Sequence, residues 1–148
     1  MECYTCARTA ETDGSAPRDL IGSDEYWRAA HAFGTALPGW LVLVPRRHVT
    51  AIAELTDDEA AGLGRWQVRL SRALAEVTGC AKTYVAQFAE AEGFAHVHFH
   101  IVPRGVDQPE SLRGPRVFGL LGVDEDSAVA PEAMDGIALR LRAALDAS

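Results

Sequence analysis

The chain is short of positive charge, of cysteine and of long apolar runs, and each shortage closes off a class of protein. It sets 14 Lys and Arg against 21 Asp and Glu, a formal net charge of −7 at pH 7. Such a balance disfavours general electrostatic attraction to nucleic acid or an anionic membrane, while leaving room for a local positive pocket. Three cysteines, an odd number, fit a reducing compartment better than a disulfide framework. The longest strongly apolar run, WLVLV at 40–44, is far short of a membrane span. The N-terminal MECYTCARTA has no basic start followed by an apolar stretch, so no secretion signal is expected and the cytoplasm is the expected compartment. Repeats and low-complexity tracts are missing as well. The remainder, 148 residues at 48% hydrophobic and 24% charged, suits one domain with a sizeable core.

Histidine is scarce too, yet three of the five histidines fall in HVHFHIVPR, residues 96–104. Strict alternation is the period of a half-buried strand, which puts His96, His98 and His100 on one face and Val97, Phe99 and Ile101 on the other. Neighbouring histidines would stand roughly 6.6 Å apart and the outer two roughly 13 Å. Two adjacent rings can share an ion or anion, whereas all three can hardly ligate one small ion, so a division of labour is expected. A merely solvated strand face is the plain alternative. Near neutral pH each imidazole can act as base, acid, nucleophile or metal ligand.

Cys3 and Cys6 form a C-x-x-C, CYTC. A redox pair should open a helix after a buried strand, and no such strand precedes Cys3. A zinc knuckle uses the same spacing but needs two further ligands. A functionless N-terminus is the third reading. His48, in VPRRHVTAI, is either an exposed loop residue or, with one strand histidine, the completion of a Cys₂His₂ set. Cys80 reads as a small buried apolar residue.

Residues 9–19 read as loop, 24–33 as a strand weakened by two alanines, and 38–45 as a turn followed by a strand buried on both faces. TDDE at 56–59 is a capping box opening a helix that carries Leu63, Trp66, Leu70, Leu74 and Val77 and stops at Gly79. Strands are expected at 82–89 and 95–102. Residues 105–130, rich in glycine and proline, read as a loop or arm. Pro131 opens a last helix with Met134, Ile137, Leu141 and Leu145 on one face. The pattern predicts an α+β antiparallel sheet.

The run His96-Val97-His98-Phe99-His100-Ile101-Val102 matches the alternating signature of the histidine-triad (HIT) family, and PGWLVLVPRRHVTAIAELTDDE at 38–59 resembles that family's strand, basic-basic-His turn and helix start. The similarity runs over about residues 20–104. The Cys3/Cys6 pair is similar to that of the family's zinc-bearing bacterial members. The resemblance implies an antiparallel sheet of about five strands with a long helix on one face and an added C-terminal helix, as a single domain over 1–148 with its core in about 1–104. It further implies a homodimer and hydrolysis or transfer at the α-phosphate of a nucleotide derivative, such as a phosphoramidate or dinucleoside polyphosphate. Nucleic acid and membranes are not expected partners. His96, His98 and His100 become the triad: His98 the nucleophile forming a nucleotidyl intermediate, His100 a phosphate donor, and His96 a ligand, with Cys3, Cys6 and His48, of a structural zinc.

Two positions depart from the family pattern. Where many members carry a ribose-binding Asp, this chain has Ala32, with His31 beside it. Where many carry a phosphate-contacting Gln, it has Glu92, which would repel phosphate unless protonated or turned away, or would serve as a general acid. Gln87 is a candidate phosphate contact in its place. Two rivals therefore remain: a metal-dependent hydrolase with an open zinc on the histidine strand, and a nucleotide-binding module of this fold with little turnover.

Overall fold

The computed structural model describes residues 2–11 and 15–148. Helix α1 spans Tyr4–Ala10 and opens on Cys3, whose sulfur accepts from the Cys6 amide at 3.4 Å. Strand β1 (Gly22–Ser23) pairs with β2 (Trp27–His31), β2 with β3 (Leu41–Pro45), β3 with β5 (Phe99–Arg104) and β5 with β4 (Lys82–Ala86). Every pairing is antiparallel, and the spatial order β1-β2-β3-β5-β4 makes β4 a free edge. Helix α2 covers Asp57–Thr78 and α3 covers Pro131–Asp146. Among the described residues no helix is long and apolar enough to cross a membrane.

The sheet has two working faces. Trp27, Ala29, Leu41, Leu43, Phe99 and Ile101 point to one side and form the main core with Trp66, Leu70 and Leu74 of α2 and Ile137, Leu141 and Leu145 of α3. Removing side chains of that size from water contributes about 2 kcal/mol apiece. Gly62 lets α2 come close, since a Cβ there would stand 3.0 Å from the Trp27 indole. On the histidine face Trp40, Val42 and Val102 pack with Val117 and Phe118 of the segment after β5. That segment forms 3-10 turns at Glu110–Leu112 and Gly114–Leu120 and laces back through Ala36 N to Leu120 O (2.9 Å). It is an arm with a fixed seat.

Element boundaries move for local reasons. The strand expected over 24–33 starts at Trp27 because the Asp24 carboxylate accepts from the amides of Tyr26 and Trp27 and forms a turn first. The strand expected over 82–89 stops at Ala86, and the chain then turns through Ala89, held at φ 56°. Left-handed backbone costs an L-residue roughly 1–2 kcal/mol. The strand expected over 95–102 starts later, at Phe99, because Val97 N bonds Val49 O at 2.8 Å, pairing the first histidines with chain that has already left β3. The loop expected over 9–19 instead includes the end of α1 and a 3-10 turn at Pro17–Asp19, while residues 12–14 lie outside the described residues.

The capping box is present in full. Thr56 Oγ1 accepts from the Glu59 amide (3.1 Å), and Glu59 Oε1 accepts from the Thr56 amide (2.8 Å). The same carboxylate takes Arg47 Nη2 at 2.8 Å and Arg47 Nε at 3.3 Å. The Arg47 guanidinium is the first cause holding the Glu59 carboxyl below its ordinary value. The start of α2 is thereby tied to the turn that carries His48. Thr56→Ala should cost about 1 kcal/mol in urea unfolding, and Glu59→Ala should cost more, because it also leaves Arg47 unpaired.

Candidate functional site

Three separate stretches, at residues 3–6, 48 and 96, bring four sulfur and nitrogen donors together. One donor atom from each of Cys3, Cys6, His48 and His96 lies within 4.8 Å of the others. The His96 Nδ1 stands 3.5 Å from both sulfurs, and the His48 Nδ1 stands 3.3 Å from the Cys6 sulfur. A tetrahedral zinc with sulfur at ~2.3 Å and nitrogen at ~2.0 Å has sulfur–nitrogen edges of roughly 3.5 Å, so the donor set matches the ion in spacing as well as type. His96 is fully buried and its Nε2 meets the Pro45 carbonyl at 2.8 Å. With the proton on Nε2, donated to that carbonyl, the Nδ1 lone pair is left facing the cysteines, the usual posture of a ligating imidazole. Burial, then Cys3, pushes the Cys6 thiol up. A cation between the sulfurs would reverse that preference.

The next two histidines hold opposite tautomers. His98 Nδ1 lies 2.9 Å from the His96 carbonyl, which fixes the proton on Nδ1 and leaves Nε2 with a free lone pair. His100 is different. Its Nδ1 accepts from the Trp40 indole N–H at 3.0 Å, so the neutral ring carries its proton on Nε2. The rings lie 5.0 Å apart. One presents an unprotonated ring nitrogen and the other a ring N–H. Burial, and secondly His98, push the His100 pKa down to about 4.

The remaining candidates separate. His31 is buried and consumed by structure, with Nδ1 against Ala32 O at 2.7 Å and Nε2 accepting from Gly39 N at 2.9 Å. Ala32 packs with Trp40, Val102 and Val117 and offers no polar group. Glu92 is exposed, with no ion pair among the described residues. Gln87 directly follows the Ala86–His100 pair of the β4–β5 ladder, and its Oε1 is buried without a hydrogen-bond partner. Cys80 is half-buried against the main core. Sequence reasoning missed Trp40 and Phe118. Trp40 left a clue, because a buried indole N–H needs an acceptor. Phe118, edge-on to His100 at 5.1 Å, left none, since its partner is distant in the chain.

Comparison with known proteins agrees with this geometry. The family profile described as "HIT domain" matches residues 13–106. No curated protein matches the chain in sequence. Among similar solved structures, a zinc-bound histidine triad family protein from Mycobacterium smegmatis is 23% identical, with 98% of this chain and 94% of that one covered and a TM-score of 0.70. A histidine triad protein from Bradyrhizobium japonicum is 27% identical, with 85% and 89% covered and a TM-score of 0.69. A hypothetical histidine triad nucleotide-binding protein from Sulfolobus tokodaii is 13% identical, with 96% and 93% covered and a TM-score of 0.70.

His31 and His100 are both held below the ordinary value of 6.5, each mainly by burial. As pH falls, the unfolded chain therefore binds their protons first. For His100 the stability of the neutral ring is complete above about pH 6.5 and drains away as pH falls toward about 4, and His31 contributes in the same direction. For His100 the loss at the acid end is on the order of 3 kcal/mol, at ~1.4 kcal/mol per pKa unit. Urea unfolding should show lower stability at pH 5 than at pH 7, and His100→Gln should flatten that difference.

Proposed function

The chain belongs to the histidine-triad (HIT) family, whose profile covers more than half of it, and from that premise we propose a nucleotide hydrolase or nucleotidyl transferase working through His98. The observation that carries this reading is the pair of ring contacts, His98 Nδ1 on the His96 carbonyl and Trp40 N–H on His100 Nδ1, which call for opposed tautomers. His98 Nε2 attacks the α-phosphorus of a nucleotide derivative, a P–N bond forms, and the bond to the leaving group breaks with its electron pair on the leaving group. The positive charge left on the ring is shared through Nδ1–H with the His96 carbonyl. His100 Nε2–H donates to a non-bridging oxygen as negative charge grows there. Water or another acceptor then displaces His98 and restores the free ring. Gln87, with its unpartnered polar end beside the ladder, is a candidate contact for the same phosphate, and the exposed Glu92 is a candidate general acid for the leaving group. Tyr4, Phe33 and Phe94, with ring centroids 5.2–6.0 Å apart, offer a flat base a stacking surface near His96.

Zinc would be held by Cys3, Cys6, His48 and His96. Four protein ligands leave no open position, so its part is structural: it pins α1 beside the reactive rings. The metal-hydrolase rival loses support because the free His96 nitrogen faces the cysteines rather than His98. The binding-module rival keeps one observation, the absence at Ala32 of any group to grip a ribose. The Sulfolobus protein is described as nucleotide-binding and the Mycobacterium protein as zinc-bound. Both descriptions agree with this reading. For assembly we favour a homodimer, because β4 is a free edge beside the exposed Val68 and Val85.

The catalytic reading is tested with a panel of nucleotide phosphoramidates and dinucleotides. His98→Ala should lose about 10⁶-fold in rate, the scale of removing a nucleophile. His100→Ala should lose about 10²–10³-fold, the scale of one transition-state donor. Rapid quench should trap an acid-labile, alkali-stable adduct on His98. Turnover that survives His98→Ala with no adduct would remove the assignment. A protein that binds a nucleotide monophosphate without turnover would be the binding module.

Metal and assembly are read from one sample purified without added metal. Elemental analysis should find one zinc per chain, falling well below one in Cys3→Ala, and light scattering should give twice the chain mass of 15.9 kDa. Sparse zinc unchanged by Cys3→Ala, or a monomer at micromolar concentration, would count against the respective claim.

A further inference from the structure

Beyond His98 a file of aromatic rings continues past the groups assigned to the chemistry. His98 is followed by His100 at 5.0 Å, then Phe118 at 5.1 Å, then Phe88 at 5.5 Å, measured between successive centroids. Phe118 is anchored edge-on to Trp40 at 5.3 Å. Phe88, at the far end of the file, is 62% exposed, an apolar ring left open to solvent. Its backbone is special as well. Ala89, immediately after it, is the non-glycine residue with positive φ among the described residues, at 56°. Strain of this kind persists where the surroundings hold the chain in a particular pose, and such places cluster at ligand sites. Phe118 also lies outside residues 13–106, the stretch matched by the family profile.

We infer that Phe88 and Phe118 form a leaving-group subsite, selecting nucleotide derivatives whose leaving group carries a flat aromatic ring. The inference rests on His98 as the attacking group. When the P–N bond to His98 forms, the bond from phosphorus to the leaving nitrogen or oxygen breaks, and that atom takes the electron pair and a proton from solvent. A leaving group extending along the file meets the edge of Phe118 and the open face of Phe88. The Tyr4, Phe33 and Phe94 rings give the base a separate surface, associated with His96 through the nearby Phe94, so a substrate with a flat group at each end finds a platform for both. An aromatic contact of this type corresponds to roughly 2- to 10-fold in binding or rate.

The test uses two adenylyl phosphoramidates that differ only in the amine, 2-phenylethylamine against ethylamine. Calorimetric Kd and kcat/KM are measured for the wild-type chain, Phe88→Ala and the control Leu139→Ala, which removes another exposed apolar side chain, from α3. Wild type should favour the phenylethyl compound by roughly 2- to 10-fold in both quantities. Phe88→Ala should bring the ratio close to one, and Leu139→Ala should keep it. Because Phe88 is exposed, its removal spares the core; Phe118→Leu, which keeps bulk but not the ring, should also lower the ratio. A wild-type ratio of one, or a preference that survives Phe88→Ala, overturns the subsite while turnover leaves the His98 reading standing. Binding preference lost in Phe88→Ala, with no turnover of either compound, supports the subsite as a recognition surface and defeats the His98 reading instead.

Discussion

The contact on which the site depends is the one between the His96 ring and the Pro45 carbonyl, 2.8 Å long and fully buried. It joins the histidine stretch to the end of β3 just before β5 begins its ladder, with Val97 N to Val49 O bracing it from the backbone. It orients His96 and leaves one nitrogen toward the cysteines. By fixing the stretch it also aims the His96 carbonyl at His98, whose tautomer follows. Three consecutive chemical decisions are thus made by one imidazole whose own ring does no bond-breaking. Proline at position 45 suits that arrangement, because a residue with no N–H ends the strand pairing and its carbonyl is free for a side chain.

Most of the frame was legible in the sequence because it is encoded locally. The capping box, the Gly79 stop and the apolar stripe of α2 are short-range signals, and the helix appears where they point. The alternation of residues 96–102 correctly separated a core-facing set from a histidine set. It misplaced the strand by several residues, because the hydrogen bonds of Val97 go to a loop partner, a choice alternation does not register. The four-donor cluster was legible as residue types at suitable spacing, but its closing distance depends on α1 lying against the sheet. The tautomer of His100 depends on Trp40, sixty positions away in the chain, and no periodicity carries that information.

The two flanks of the site have different origins. The N-terminal flank, with Cys3, Cys6 and Tyr4, approaches by way of side chains that can share an ion. The other flank belongs to the arm after β5, which is seated on Trp40, Val42 and Val102 by apolar contact and laced to the 34–36 turn by backbone hydrogen bonds. One flank is built from sulfur and nitrogen donors, the other from apolar packing. Between them His100 lies in the β3–β5 pairing, whose other face is backed by both long helices, while His96 and His98 lead into it.

Helix α1 has only seven residues. A helix of that length lies well below the ~12–15 residues at which an isolated segment becomes even marginally stable in water, so its order is borrowed from its docking: Cys3 and Cys6 on His48 and His96, the buried Thr5, Tyr4 on Phe33 and Phe94, and Arg28 on Thr9. The segment therefore behaves as its own small cooperative unit, able to open while the sheet stays closed. Amide protons in that first turn would report how firmly α1 is docked rather than the strength of the sheet.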